Sequence, residues 1–534
     1  MGSLVDRSFD FIVVGAGTAG CALAARLSEP GATVLLVEAG GEARSPWITV
    51  PVGYAKLLGD PRYNWMYRTE PEAALGGRVL DAPCGRTLGG TGAINGMIHI
   101  RGHAADYDGW RDAGNTGWDY KEVLPWFRRS EANVRGASEY HGADGPLAVS
   151  DPQPDALSNA FVEAAVQEGW PRNEDFNGVT QDGAGFYQLN TRGGTRASSA
   201  SAYLKPARGR ASLTVQTDAL VHRILFDGDL AIGIEYAHGG RVLRARATQI
   251  VLSAGAFNSP QLLLRSGIGS ASQLRAHDIP VVADSPGVGN NLHNHYRASV
   301  IVRCRPGLSL NDLTQSFGAR VRMALAYIFA RRGPLATGTT AGGFFRSDAA
   351  LDRPDVQVTF WHYSVSKRDA QGLELHDFPA YTANAVILRP RSRGSLRLAS
   401  RDPAAAPLIR YNHLDHPEDR RAIAAGLALM RRIVAMPSLA KLSDGEFAPG
   451  AVVSNEKNLI DYARERGNSV YHPVGTCRMG VDEHAVVDPQ LRVRGVRGLR
   501  VADASIMPTI IAGNTNAPTL MIAERATAWM LTER

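Results

Sequence analysis

A chain of 534 residues is too long for one small hydrophobic core, so two or three domains are expected. Its 44% apolar and 21% charged content is that of an ordinary soluble globular protein, and no apolar run reaches the roughly eighteen residues of a membrane span. The net charge of +6 comes from arginines interspersed with acids, which argues against a nucleic-acid surface. The four scattered cysteines have neither CxxC nor zinc spacing, which argues against bridges and metal.

The chain reaches its first apolar segment within nine residues, which leaves no room for a signal peptide and predicts a cytoplasmic protein. Residues 9–14 are rich in β-branched and aromatic types and read as a buried strand. Gly15-Ala16-Gly17-Thr18-Ala19-Gly20 follows, then an Ala/Leu-rich helix over 21–28 and a second strand over 33–37 that stops at Glu38. In a dinucleotide fold Gly15 makes the tight turn, Gly17 admits a pyrophosphate and Gly20 lets helix and strand pack. The phosphates then sit at the helix N-terminus. Glu38 can accept both ribose hydroxyls of an adenosine and would repel a 2′-phosphate, which disfavours NADP. FAD and NAD both stay open at this point.

Residues 40–80 read as loop-rich. Residues 85–98 carry five glycines, the sign of a backbone that passes close to something flat or charged. Interleaved Leu88, Ile94, Met97 and Ile98 make the stretch a packed segment rather than a linker. Aromatic and charged residues recur at helical spacing over 112–135. Residues 219–226 and 233–236 read as strands around an Asp227-Gly228 turn, and 250–256 as a buried strand. Ser259-Pro260 is expected to cap and open a helix closed by Gly267. From about 300 to 398 the pattern is antiparallel β, with 386–388 expected to pair with 396–398 across a turn at 390–394. A helix is expected over 417–436, with Ile423, Leu427, Met430 and Val434 on one stripe.

His472, held by Pro473 in a glycine-bearing loop, has a reference pKa near 6.5 that suits a proton acceptor at neutral pH. Residues 499–505 form a short strand ending in Asp503, a carboxylate suited to the ribityl hydroxyls that a flavin has and NAD lacks. Residues 513–519 open a helix with an expected Asn cap. Its positive end, aimed at an isoalloxazine, would lie by N1 and the C2 carbonyl.

Gly15 to Gly20 with Glu38, residues 85–98, Gly255-Ala256-Phe257-Asn258-Ser259-Pro260-Gln261, His472-Pro473 and Asn514-Thr515-Asn516 together resemble the glucose–methanol–choline oxidoreductase family. The resemblance spans nearly the whole chain and is greatest to the bacterial choline-dehydrogenase-like branch. It implies an α/β fold: a Rossmann-like FAD-binding domain over 1–150, 200–290 and 465–534, and a substrate domain over 151–199 and 291–464. The second domain would be built on an antiparallel sheet flanked by helices. It also implies oxidation of an alcohol to an aldehyde or ketone by hydride transfer to flavin N5, with His472 as base and Asn514 as its partner. Oxygen or a quinone-like or other acceptor would then reoxidise the flavin.

The cofactor residues implied are Gly15, Gly17, Thr18, Ala19, Gly20, Glu38, Ala39, Arg86, Leu88, Gly90, Thr91, Asn95, Met97, Val221 at the adenine, Tyr471, Asp503, Ala504 and Thr515. Ile94 stands where some members carry a histidine bonded to FAD, so non-covalent FAD is expected. His99 replaces a usual aromatic and Asn294 a usual Asp, and neither has a functional reading in the sequence. Phe344, Phe345, Phe360, Trp361 and Tyr363 are candidate substrate walls. A cyanohydrin-cleaving FAD lyase of the same fold and an NAD-dependent dehydrogenase are the alternatives.

Overall fold

The structure is a computed structural model that describes residues 7–338, 340–369 and 372–533. Residues 1–6, part of the stretch from which no leader is expected, lie outside them. The central strand Ser8–Val14 runs parallel to Val34–Val37, whose four residues are all buried, and to Arg241–Leu252 on its other side. Leu213–Gln216 extends the sheet beyond Val34–Val37. Arg241–Leu252 is longer than the expected strand and serves two partners on one edge. Residues 241–246 pair antiparallel with Leu230–His238, and residues 250–252 pair parallel with Leu499–Val501. The C-terminal part of the chain thereby returns to the first sheet. Helices Thr18–Ser28 and Asn516–Thr532 pack against each other there, and the small residues of both, alanines in each and Gly20 in the first, allow the close approach.

The helix expected to open at Ser259-Pro260 instead spans Gly255–Arg265, with Pro260 inside it. An interior proline leaves the carbonyl four residues back without its donor. Here Thr476 Oγ1 donates to Ala256 O at 2.7 Å, and Ser259 Oγ, freed from capping, donates to Asp503 at 2.6 Å.

A second, antiparallel sheet has the order Ser443–Ala448, Tyr296–Cys304, Ala380–Ile387, Val356–Trp361, Ala341–Phe345 and Gly183–Phe186. The expected hairpin across 390–394 does not form. Both edges of Ala380–Ile387 are taken by Tyr296–Cys304 and Val356–Trp361, while Ser395–Arg397 pairs with Leu408–Arg410. Helices Leu310–Gln315 and Phe317–Ala330 also interrupt the stretch expected to be β throughout. Helix Pro417–Val434 covers one face of the sheet through Ile423, Leu427 and Met430, with Val434 half-buried. Strand alternation sends Val356, Val358 and Phe360 into that core and Gln357, Thr359 and Trp361 to the opposite face.

Candidate active site

That opposite face and the carboxyl ends of the parallel strands enclose a cavity of about 1150 Å³, where open α/β sheets bind their ligands. Gly15 has φ +94°, and a Cβ there would lie 2.8 Å from Ala254 Cα. Gly90, at φ +53°, would set a Cβ 2.7 Å from Gly17 Cα. Glycine at these positions therefore lets the two glycine segments and residues 253–254 pack backbone against backbone at the cavity wall. Gly17 caps helix Thr18–Ser28 without a side-chain hydrogen bond, which leaves first-turn N–H groups for an anion.

Helix Asn516–Thr532 also lacks the Asn cap expected of it. Its N-cap is Thr515, Asn516 Oδ1 accepts from Thr18 Oγ1 at 2.8 Å, and Asn514 is turned toward His472. Glu38 is buried, with Oε2 accepting from Ala16 N and Oε1 from Gly40 N, each at 2.8 Å. Burial pushes its carboxyl up to about 7. Asp503 is buried too: Oδ2 accepts from Gly255 N at 2.9 Å and Oδ1 from Ser505 N at 2.8 Å.

Of the implied cofactor residues, Gly15, Gly17, Thr18, Ala19, Glu38, Ala39, Gly90, Thr91, Asn95, Met97, Val221, Tyr471, Asp503, Ala504 and Thr515 line the cavity, with His472 and Asn514. Gly20, Arg86 and Leu88 do not. Gly20 packs against Gly15 O, Leu88 joins the core, and the Arg86 guanidinium lies 4.7 Å from the Trp65 ring centre. Of the candidate walls, Trp361 and Tyr363 reach the cavity; Phe345 and Phe360 occupy the other strand register and are buried in the core with Val356 and Val358, whereas Phe344, opposite Gln357, is buried in a separate small cluster with Ile98, Ile100, Phe176 and Tyr187. Cys84 borders the cavity, and burial pushes its thiol up to about 12, which keeps it protonated. The glycine-lined cavity wall, the two uncapped helix N-termini and the Glu38 carboxylate fit FAD.

Four residues from distant segments order the His472 side chain. His295 Nε2 lies 3.0 Å from Leu388 O, a group that only accepts, so His295 carries its proton on Nε2. His295 Nδ1 must then accept, and at 3.0 Å its donor is His472 Nδ1–H. The lone pair of His472 is left on Nε2, which faces Asn514 Nδ2 at 3.2 Å. Gln357 Nε2 donates to Asn514 Oδ1 at 3.2 Å and so turns the amide nitrogen toward His472. Burial, with the His295 ring beside it, holds the His472 pKa well below the usual value. Burial lowers His295 to about 4.

Asn294 has a structural reason. Its Oδ1 accepts from His472 N at 2.8 Å while its Nδ2 donates to Ser469 Oγ at 2.6 Å, and an ionised Asp could not make the second bond as a donor. His99 lies outside the cavity in a buried polar cluster. Its Nδ1 meets Asn190 at 3.1 Å, and its Nε2 is 3.7 Å from Glu131, a carboxylate that also binds Arg101 and His141. His295 and Gln357 were not among the residues expected from sequence. Gln357 was nevertheless signalled as a polar residue in a strand whose other register is Val356, Val358 and Phe360.

GMC oxidoreductase domain profiles match residues 9–297 and 390–523. An oxygen-dependent choline dehydrogenase of Klebsiella pneumoniae subsp. pneumoniae is 42% identical, with 97% of this chain and 95% of that protein covered. An alcohol dehydrogenase [acceptor] of Pseudomonas putida is 41% identical with the same coverage. Among solved structures, a pyridoxine 4-oxidase from Mesorbium loti superposes with a TM-score of 0.89 at 33% identity, covering 98% of this chain and 99% of that one. An Aspergillus oryzae formate oxidase studied for FAD modification gives 0.91 at 26% identity, with 99% of each chain covered.

Proposed function

Because the chain belongs to the GMC oxidoreductase family and FAD, not NAD, is its cofactor, we propose that it oxidises an alcohol to an aldehyde or ketone with His472 as the base. The bound flavin supplies the hydride acceptor. A substrate hydroxyl within reach of both His472 Nε2 and Asn514 Nδ2 gives its proton to the imidazole and receives a hydrogen bond from the amide as alkoxide charge develops. His472 then carries protons on both ring nitrogens, and the Nδ1–H remains bonded to the neutral His295. The observation that carries this reading is the polarised chain from Leu388 O through His295 to His472, which leaves a lone pair on Nε2 facing the cavity.

The reading divides the chain into an FAD-binding domain (1–150, 200–290 and 465–534) and a substrate domain (151–199 and 291–464). The two sheets support that division, although Asn468–Ser469 crosses it to pair with residues 296–297. FAD would be held without a covalent bond, since Ile94 on the cavity wall has no nucleophile. Oxygen or a quinone-like acceptor would reoxidise it, in a protein of the cytoplasm. Substrate choice would fall to Ser299, Thr359, Trp361 and Tyr363 on the wall built by the antiparallel sheet.

The test is anaerobic bleaching of the flavin's visible band by a panel of aryl, alkyl, amino and sugar alcohols. One or more should bleach it. If none does while a cyanohydrin is cleaved, the lyase alternative replaces this reading.

A further inference from the structure

Among the described residues no helix is long and apolar enough to cross a membrane, yet helix Phe317–Ala330 is apolar and turned outward. Phe317 is 74% exposed, Val321 42%, Leu325 48%, Ile328 59% and Phe329 82%, while Ala319 and Tyr327 face the body of the protein. Projected at about 100° per residue, the five exposed side chains fall in one arc about 120° wide, opposite the buried pair. Arg320 and Arg322 border that arc on either side, and Arg331 and Arg332 follow its C-terminal end, all four exposed. Residues 313–347 contain five Arg and no Asp or Glu. An apolar stripe edged by cations is the arrangement that seats a helix at a lipid–water interface.

The arm does not stand alone. It leads into Pro334–Ala336, which packs against Pro51–Gly53, the turn just before cavity-lining Tyr54. Trp47, 39% exposed with Lys56 Nζ 4.1 Å from its ring centre, sits on the short helix beside that turn and adds an aromatic–cationic pair of the interfacial kind.

We propose that this arm docks the protein peripherally on an anionic lipid bilayer, with the stripe immersed and the arginines at the headgroups. At 14 residues the helix is about 21 Å long, too short for the roughly 30 Å hydrocarbon layer, so it lies in the interface rather than spanning it. A second copy of the chain is the poorer occupant. A two-fold pairing through this face would set its arginines against their own copies with no acid on the arm to meet them. The inference does not depend on the reaction assigned to the cavity.

Flotation of the holoenzyme with vesicles tests it. The parent should bind phosphatidylcholine vesicles containing about a third phosphatidylglycerol, bind pure phosphatidylcholine weakly, and be released by salt. Leu325→Glu with Phe329→Glu should lower binding about tenfold or more. Arg320→Glu with Arg322→Glu should lower it at least about fivefold per arginine. Both variants should keep the parent's flavin content, melting temperature and rate of flavin reduction by a dissolved alcohol. The Arg pair, which alters no apolar surface, keeps the test open if the first pair misfolds. No binding to anionic vesicles, binding unchanged in the Arg pair, or a dimer that Leu325→Glu dissociates would each overturn the proposal.

Discussion

Burial and the nearby His295 make His472 a weak base that is neutral throughout the ordinary pH range. The acid limb of flavin reduction against pH should therefore lie below 6.5 in the parent and vanish in His472→Ala, whose reduction should be slower by roughly 10²–10⁴. Stopped-flow reduction under anaerobic conditions reads both, and near-parental rates in His472→Ala with FAD bound would reassign the base. His295→Gln, which keeps an acceptor for His472 Nδ1, should reduce faster than His295→Leu, which removes it. Equal rates would mean that the tautomer is held elsewhere. At the other end of the cavity Glu38 starts from a carboxyl raised to about 7 by burial, and a ligand hydroxyl bonds best to its ionised form. FAD affinity should accordingly rise from pH 5 to about 7 and then level, and Glu38→Ala should lose about ten- to a hundredfold along with that rise. Quenching of flavin fluorescence by the apoprotein measures each.

At the scale of elements, helix Gly255–Arg265 shows how one side chain can rescue a proline. Thr476 Oγ1 occupies the Ala256 carbonyl that Pro260 cannot bond. Thr476→Val keeps the shape and removes the donor, leaving a buried carbonyl unpaired, and should cost about 1–3 kcal/mol in chemical denaturation. An unchanged denaturation midpoint would show that the carbonyl has another partner. Proline at the sixth position reads from sequence as a helix start because sequence alone carries no information about a donor 220 residues away, as Thr476 is from Ala256 here. The failed hairpin at 390–394 has the same origin. Two apolar runs and a turn suit a local pair, but non-local partners already occupied both edges of Ala380–Ile387.

Over the whole molecule, several histidines are buried uncharged. Burial lowers His295 to about 4 and His413 to about 3, and it holds His293 and His472 well below their usual values. Between pH 6.5 and these values the unfolded chain binds more protons than the native one, so stability falls as pH falls. His295 alone accounts for about 1.4 kcal/mol per pH unit over the part of that window in which only the unfolded form is protonated. Glu38 works in the opposite sense, since its raised carboxyl favours the native state below about 4.5 and that stability is lost as pH rises through about 7. These four histidines outweigh the raised Glu38 and Glu72 carboxyls and the raised His141, giving a melting temperature that drops on going from pH 7 to 5, and a constant or rising value would show that the four rings are hydrated or charged.

The sequence by itself determined the βαβ unit, the Glu38 terminus and the positions of His472 and Asn514, because each rests on local spacing, turn chemistry or a motif read within one segment. Only the tertiary structure decided the setting of the His472 ring. Asn294 and His295 come from the loop before strand Tyr296–Cys304 and Gln357 from strand Val356–Trp361, and their hydrogen bonds settle the tautomer, the amide orientation and the backbone position that no spacing encodes. It also decided which aromatics border the cavity. Strand register, set by long-range pairing, sends Trp361 to the cavity and Phe360 to the core though they are adjacent in sequence.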